Sequence, residues 1–160
     1  MSSFPITPAI RVLREKKIEF EPFLYDYLEK GGTRHSADCL GVDEHAVIKT
    51  LVFETNEKKP LIVLQHGDLQ VSTKDLARIL KIKSVVPATP DRANKLTGYL
   101  VGGTSPFGLR TAMPIYTESS IFDLQRIWIN GGKRGFLVSI VPAALAEVLG
   151  VEAVNVAVRS

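Results

Sequence analysis

The sequence GYLVGGTSPFGLR, residues 98–110, contains four glycines and one proline around a short apolar run. The run at 99–101 predicts a strand, and Gly102 and Gly103 predict a turn after it, because glycine adopts positive φ without a steric penalty. Such a turn can direct successive N–H groups into one concavity that suits a carbonyl oxygen or a phosphate. A tight turn between two strands explains the same spacing, so this segment alone does not define a site.

A second segment, NGGKRG at 130–135, has the same character and adds two cations. Neither segment has the GxxxxGK[ST] or GxGxxG spacing of nucleotide-binding loops, and the chain has no GxSxG nucleophile turn. Two glycine-rich segments in one small chain favour a binding site without identifying its ligand.

Composition limits the class of protein. The chain has 160 residues, of which 45% are hydrophobic and 23% are charged, which is typical of a globular protein and predicts a single domain over 1–160. No apolar run approaches the roughly 18 residues of a membrane span, and the first residues lack the pattern of a signal peptide. We therefore expect a cytoplasmic protein without a membrane partner.

Few residues are suited to metal binding or disulfide formation. Cys39 is the single cysteine, which excludes an internal disulfide and suits a reducing cytoplasm. His35, His45 and His66 are scattered without metal-ligand spacing, so we predict neither a metal site nor a cofactor. Cys39 is interpreted as a small core residue, and His45 and His66 as surface residues. The formal net charge of +3 is mildly basic and compatible with docking to part of an RNA.

Capping and periodicity signals predict many short elements. Hydroxyl residues at 7, 72 and 89 predict three helix starts, and a fourth helix is expected at 142–149. Strands are predicted at 18–25, 47–53, 60–65, 85–86, 113–117, 126–129, 136–141 and 154–158, with a loop at 29–33 and a helical turn at 120–124. Short strands outnumber helices, so the predicted fold is mixed α/β, a curved mixed sheet or partial barrel with flanking helices.

Residues 35–51 allow two interpretations. Ala37, Gly41 and Val47 fall at offsets that also occur in DNA-binding helix-turn-helix units. Against DNA binding, the run VIKTLVF at 47–53 is typical of a strand rather than of a recognition helix. Within that strand Lys49 shares a face with Val47, where a lysine either extends to solvent or lines a cavity that needs a cation.

The order of several segments resembles that of the YbaK/EbsC family of aminoacyl-tRNA editing domains. These segments are TPA at 7–9, LGV at 40–42, VIKTLV at 47–52, LTGYLVGG at 96–103 with Ser105, Pro106 and Gly108, and GGKRG at 131–135. Each is weak alone, but together they are specific and span almost the whole chain. The resemblance implies a mixed β-barrel core with flanking helices and a free-standing deacylase of mischarged tRNA(Pro), with Cys-tRNA(Pro) as the leading substrate.

The resemblance also implies roles for individual residues. Lys49 corresponds to a pocket lysine that contacts the terminal adenosine or the aminoacyl ester, and Gly102 and Gly103 correspond to a loop that cradles the ester carbonyl. The implied substrate-binding residues are Tyr25, Thr50, Thr104, Ser105, Asn130, Gly131 and Leu137. The implied partners are the acceptor end of tRNA(Pro) and prolyl-tRNA synthetase.

Three cations flank the two segments and have two interpretations. Arg110, Lys133 and Arg134 form either a solvated rim or contacts to the phosphates of the acceptor end. A mutation of such a contact would weaken RNA binding and flatten its salt dependence.

Three positions depart from the family's pattern. Gly32 or a neighbour stands where Cys-tRNA(Pro) deacylases tend to have phenylalanine, Asn130 stands where serine is usual, and Leu137 where aspartate is frequent. All three lie at or near the implied amino-acid pocket, so the resemblance leaves open which amino acid is removed. The departures do not affect the general deacylation chemistry that it implies.

The implied chemistry requires no catalytic triad. A cation would hold the 3′ end, and glycine N–H groups would stabilise the developing oxyanion. The nucleophile is then the thiol of a cysteine substrate, or a bound water for alanine, serine or threonine. His45 and His66 are alternative bases, and a non-catalytic module that binds tRNA or a synthetase is the competing interpretation.

Overall fold

The computed structural model describes residues 3–159, which form one main sheet with flanking helices. The helices are α1 (Pro8–Glu15), α2 (Gly32–Leu40), α3 (Thr73–Leu80), α4 (Pro90–Thr97) and α5 (Ala143–Leu149). The strands are β1 (Glu21–Leu24), β2 (Val47–Thr55), β3 (Pro60–His66), β4 (Gln70–Val71), β5 (Val85–Pro87), β6 (Ile115–Glu118), β7 (Ile127–Lys133), β8 (Phe136–Ile140), β9 (Glu152–Val154) and β10 (Ala157–Val158). Short 3₁₀ turns cover Glu44–Ala46 and Ser119–Asp123. No helix of the described segment is long and apolar enough to cross a membrane.

Local caps start three of the helices as the sequence predicts. Thr7, Ser72 and Thr89 are the N-caps of α1, α3 and α4, and each side chain accepts a hydrogen bond from the N–H three residues further on. This bond satisfies one of the free N–H groups of the first turn. The helix predicted at 142–149 is α5, and Gly150 caps its end with a left-handed φ of 62°, a conformation that glycine adopts readily.

The main sheet is mixed and open. Its order is β1-β8-β7-β2-β3-β6-β9, and β5 pairs with the far end of β2. The β2–β7, β3–β6 and β6–β9 pairs are parallel, and the others are antiparallel. Within residues 3–159 the sheet does not close, because β1 and β9 remain its edges. The predicted mixed sheet with flanking helices is therefore confirmed in its open form.

One face of the sheet carries a single large apolar cluster, and we call it the continuous face. Ile48, Ile129 and Val138 project from the strands of this face and are almost completely buried. Leu13 of α1 and Leu145 of α5 cover them. Burial of this apolar surface is the main stabilising contribution that the fold offers.

The opposite face carries two smaller apolar clusters, and we call it the split face. One cluster surrounds Val47 and Leu137 beneath α2, and the other surrounds Phe53 and Val63 beside α3. The alternation of side chains along β2 places Lys49 between the two clusters. Polar groups therefore interrupt the split face at its centre.

A polar strip of three side chains crosses the split face at this point. Lys49 pairs with Gln65 across β2 and β3, and the amide of Gln65 donates to Glu118 Oε1 at 3.0 Å. Gln65 and Glu118 are only 0% and 4% exposed. Glu118 Oε1 also accepts from the N–H of Val156 at 2.9 Å, so these buried groups are hydrogen-bonded as burial requires.

Several predicted elements are wrong in detail. Residues 99–101 form no strand, because Gly98 ends α4 at a φ of 83° and the chain turns at once, with Gly103 N donating to Leu100 O. The predicted strand at 154–158 is two strands, and β10 pairs with β4 outside the main sheet. The second glycine-rich segment lies mostly within β7, where an irregularity between Asn130 and Lys133 accommodates its glycines.

Helix α2 begins at Gly32, so the loop predicted at 29–33 is shorter than expected. The strand predicted at 47–53 is confirmed as part of β2. Because a recognition helix at this position is thereby excluded, the helix-turn-helix alternative is wrong.

Candidate functional site

Strand β2 changes its neighbour part-way along one edge, beside Lys49. Val47 and Ile48 pair with β7, whereas residues 53–55 pair with β5. Between them, residues 49–51 have no ladder partner on that edge among the strands described here. The alternation of main-chain groups directs the N–H and C=O of Thr50 into this gap. These two main-chain groups are the polar groups that the gap offers to a ligand. The Thr50 hydroxyl, on the face of the sheet, is buried and has no hydrogen-bond partner within the described residues.

Lys49 and Thr50 lie on opposite faces of the sheet. Thr50 pairs with Leu64 of the continuous face, whereas Lys49 is half-buried on the split face. The Lys49 ammonium donates to the carbonyl of Leu69, on the β3 side of β2. Burial lowers the pKa of Lys49, while the carboxylates of Glu44 and Asp68 raise it. The cation therefore sits in a partly buried setting with acidic neighbours.

Asn130 joins the two glycine-rich segments. Its Nδ2 donates to Gly102 O at 3.1 Å, and its Oδ1 accepts from the N–H groups of Gly132 and Lys133 at 2.7 and 3.0 Å. All of its amide atoms are thus used to hold the segments together. Asn130 pairs with Leu137 across β7 and β8, which places it on the split face, the face of Lys49.

The two glycines of the first segment have different surroundings. Gly103 is buried, and a Cβ there would lie 2.8 Å from Arg134 N, so only glycine lets the segments pack this closely. Its N–H donates to Leu100 O at 2.8 Å and is not free for a ligand. Gly102 is exposed, with φ of 91°, and a Cβ there would lie 2.6 Å from the Tyr27 hydroxyl.

Tyr25 and Leu137 lie near α2 on the split face. Tyr25 N donates to Gly135 O at 3.0 Å, which ties this residue to the second glycine-rich segment. Burial raises the pKa of the Tyr25 hydroxyl. Leu137 is buried against Val47. The structure therefore brings Tyr25, Leu137 and Asn130 to the face that carries Lys49.

Three other predicted substrate-binding residues have internal contacts. Ser105 is fully buried, and its hydroxyl accepts from Phe107 N at 3.2 Å. The Thr104 hydroxyl donates to Leu100 O at 3.4 Å. Gly131 is buried, and a Cβ there would lie 2.5 Å from the Phe136 ring. These residues shape the segments from within.

The three predicted RNA-binding cations do not form one group. Lys133 and Arg134 are exposed at the turn between β7 and β8, and Arg134 Nε donates to Val101 O at 2.9 Å. Arg110 instead packs at the end of α4, where its side chain lies about 3.5 Å from the position of a Gly98 Cβ and its N–H donates to Thr97 O.

His45 and His66 are neighbours, and the prediction that both are surface residues is wrong for His66. Their rings stack at 3.7 Å, His66 is fully buried, and His45 Nδ1 lies 2.9 Å from Asp68 Oδ1. The antiparallel pairing of β2 and β3 brings them together. Because the carbonyl of His45 can only accept, His66 donates from Nδ1 and accepts the Ser120 hydroxyl at Nε2, both at 2.7 Å. Burial lowers the pKa of His66.

The same cluster is the candidate metal site within the part of the chain that the structure describes. Ligand atoms of His45, His66 and Asp68 lie within 4.8 Å of one another. Both ring nitrogens of His66 already make hydrogen bonds, and two rings stacked at 6° direct their lone pairs side by side rather than toward one point. This arrangement fits a hydrogen-bonded network better than a metal centre.

The prediction that Cys39 is a core residue is wrong. Cys39 is exposed on α2, with its sulfur 3.5 Å from His35 Nε2 one turn earlier. The apolar side of α2 is instead provided by Ala37, which packs on Val47 and Leu137. At helical spacing Cys39 falls outside the side of α2 that faces the sheet.

Sequence reasoning missed Gln65, Glu118 and Tyr27. Gln65 interrupts an otherwise apolar strand, and a polar residue in such a run is a usable signal. Glu118 and Tyr27 carry no local signal, because their positions follow from strand pairing and from the fold of the glycine-rich segments.

The fold and the arranged side chains belong to a known class. Residues 32–148 match the family model of the aminoacyl-tRNA editing domain, and the chain belongs to that family. The mixed sheet described above is therefore the framework of an editing domain.

Named relatives narrow the comparison. EbsC of Enterococcus faecalis, whose name proposes a Cys-tRNA(Pro)/Cys-tRNA(Cys) deacylase, is 27% identical over 140 residues, 87% of this chain and 85% of that protein. The proline–tRNA ligase of Caldicellulosiruptor bescii is 27% identical over 97 residues, 61% of this chain but only 16% of the ligase. A solved structure described as a candidate trans-editing enzyme for prolyl tRNA synthetase shares the fold, with a TM-score of 0.80, 21% identity and 95% and 98% of the two chains covered.

Proposed function

We propose that this protein removes the amino acid from mischarged tRNA(Pro) in trans, with Cys-tRNA(Pro) as the leading substrate. The observation that carries the proposal is the position of Lys49. It is a partly buried cation on the split face, beside an unpaired strand edge and on the same face as the Asn130 link to Gly102. An aminoacyl ester on a polyanionic RNA needs a cation and main-chain donors at such a place.

We assign the following roles within this proposal. Lys49 leaves the Leu69 carbonyl to contact the terminal ribose or the ester. Gly102 supplies the N–H donor for the ester oxygen, since the N–H of Gly103 is already used. The main-chain N–H and C=O of Thr50 contact the substrate in the gap at β2.

The remaining residues of the proposal shape the amino-acid pocket or contact the RNA. Tyr25, Thr104, Ser105, Gly131 and Leu137 form or support the pocket, and Leu137 makes its wall apolar. The acceptor end of the tRNA contacts Arg110, Lys133 and Arg134. The last two of these lie beside the glycine-rich segments. The relation to proline–tRNA ligases supports prolyl-tRNA synthetase as a partner.

The reaction has two balanced forms. For a cysteine ester, the substrate sulfur attacks its own carbonyl carbon, a C–S bond forms, the ester C–O bond breaks and the thiol proton passes to the ribose oxygen. For alanine, serine or threonine esters, water attacks and the products are the free amino acid and tRNA. In both forms the protein stabilises the oxyanion rather than supplying the nucleophile.

Deacylation of a small substrate panel tests the proposal. Cys-, Ala-, Ser-, Thr- and Pro-tRNA(Pro) are incubated with the wild type and with Lys49→Ala. We expect loss of one non-cognate ester with the wild type and a rate about 10²- to 10³-fold lower with the variant, the effect of removing one oxyanion-type contact. Equal rates with both proteins would remove Lys49 from the mechanism.

A non-catalytic binding module is the second candidate, and one observation favours it. The N–H groups of Gly103, Gly132 and Lys133 are all donated within the protein, which leaves few donors for an oxyanion. This candidate predicts tRNA binding by the wild type with no turnover of any ester in the panel.

A further inference from the structure

The surface beside the two glycine-rich segments is unusually apolar and exposed. Leu100 and Val101 are 60% and 46% exposed, and Tyr27 is 38% exposed. A Cβ at Gly102 would meet the Tyr27 ring, so these residues are contiguous. Large apolar side chains exposed together at the edge of a site mark a binding surface more often than a solvated one.

Arg134 lies over the Tyr27 ring within this surface. Its guanidinium carbon is 5.2 Å from the ring centroid, a cation–π distance. The bond from Arg134 Nε to Val101 O holds the guanidinium there. The left-handed φ of Gly102 and the missing Cβ make the space for the Tyr27 hydroxyl. The Tyr27 ring and the Arg134 guanidinium therefore lie against each other in the protein without a ligand.

The chemistry of this surface fits an unpaired nucleobase. Aromatic rings and arginine planes stack on bases, and Lys133 next to them adds charge for the following phosphate. Paired bases are hidden inside a duplex, so a stacking surface has nothing to recognise there. An apolar face of another protein would leave Lys133 and Arg134 without a counter-charge, which argues against that occupant.

We propose that Tyr27 and Arg134 form a stacking surface for an unpaired nucleotide at the 3′ end of the tRNA, next to the nucleotide that carries the amino acid. This inference rests on the proposed function and extends it to a residue without a role there. Stacking on Tyr27 would fix the direction in which the 3′ end approaches the Asn130 link and Lys49.

Binding of an uncharged acceptor-stem minihelix tests the surface separately from the chemistry. Two probes are compared, one with the unpaired 3′ nucleotides and one with a blunt end. We expect Tyr27→Ala to weaken binding of the tailed probe about 5- to 150-fold, the range for one stacked base, and to leave the blunt probe unchanged. The loss should be the same at low and high salt, because stacking releases no counterions.

Matched variants complete the test. Tyr27→Phe keeps the ring and should bind as the wild type does, whereas Tyr27→Leu keeps the apolar bulk without a π face and should bind as Tyr27→Ala does. Arg134→Ala should weaken binding and also lower the salt slope, since it removes a cation as well as a plane. Arg78→Ala removes an exposed arginine of α3 outside this surface and serves as the control.

Three results would overturn the stacking surface. These are equal losses on both probes, no loss with Tyr27→Leu, or a change in the oligomeric state of Tyr27→Ala, which would mark the surface as a contact between protein chains. If tailed RNA binds through Tyr27 but no ester is turned over, the stacking surface stands and the deacylase proposal fails. If esters are turned over while Tyr27 variants bind normally, the reverse holds.

Discussion

The two faces of the sheet differ in how their strands are filled. The continuous face has one apolar cluster closed by α1 and α5, whereas the split face has two clusters divided by the polar strip of Lys49, Gln65 and Glu118. Both faces are formed by the same strands, and successive side chains of β8 project alternately to one face and the other. We infer that the continuous face contributes most of the free energy of unfolding. The split face contributes less, because polar groups that can serve a site stand where apolar side chains would stabilise the fold.

The largest expected effect is on the continuous face. Ile129→Ala removes a fully buried side chain amid other aliphatic groups, so we expect the free energy of unfolding to fall by about 2–5 kcal/mol. Leu137→Ala on the split face should cost less, because half-buried neighbours such as Tyr25 and Leu40 can relax into the space. Urea unfolding of both variants measures the difference. An equal or larger loss for Leu137→Ala would contradict the assignment of stability to the continuous face.

Asn130→Ala should have the next largest effect and should act on both stability and activity. It removes three hydrogen bonds and leaves the N–H groups of Gly132 and Lys133 without their acceptor, with an expected cost of about 1–3 kcal/mol.

We expect the deacylation rate of Asn130→Ala to fall further than its loss of unfolding free energy explains, because Gly102 loses its link to β7. Asn130→Asp keeps the acceptor but loses the donor to Gly102, so comparing the two variants in urea unfolding and deacylation separates the bonds. Full activity in Asn130→Ala would show that the link does not position the site.

A pH titration tests a buried polar group of the continuous face, His66, which pairs with Ile48 and projects away from Gln65 of the polar strip. Because burial lowers the pKa of His66 below the usual 6.5, the unfolded chain binds its proton first as the pH falls. The stability contribution is thus complete above about pH 6.5 and is lost as the pH falls toward the lower folded pKa.

Urea unfolding of the wild type and of His66→Gln from pH 7.5 to 5 gives the free energy of unfolding at each pH. The contribution of His66 is the difference between the slopes of the two proteins against pH. We expect the wild type to lose stability more steeply on acidification. Parallel slopes would mean that His66 titrates normally despite its bonds to His45 and Ser120.

The sequence predicts the parts of this molecule that depend on neighbours in the chain. The caps at Thr7, Ser72 and Thr89 and the apolar runs of β2 and β3 are local, and each element appears where its signal lies. The strand predicted at 99–101 is wrong. Its apolar side chains are typical of a strand, but Gly98 and Gly102 on either side adopt positive φ and turn the chain.

The sequence predicts candidate site residues but not their geometry. The resemblance implies Lys49, Asn130 and Gly102, yet the bond from Asn130 to Gly102 joins residues 28 positions apart. The stack of His45 on His66 likewise depends on the pairing of β2 with β3. No spacing in the sequence records such contacts, because strand register is set by the whole sheet.

The smallest expected effect is on stability at Lys49, and it tests the comparison most directly. Lys49→Met keeps the aliphatic stem and removes the ammonium group. Burial lowers the pKa of Lys49 because it disfavours the charged form. Without that charge, the free energy of unfolding should stay the same or rise by up to about 1 kcal/mol. Lys49→Arg keeps the charge and is the matched control. If Lys49→Met instead destabilises the protein as much as Asn130→Ala does, the lysine belongs to the structure. If the variant is as stable as the wild type and inactive, the split face carries a charge that the fold does not need, and that charge is there for the substrate.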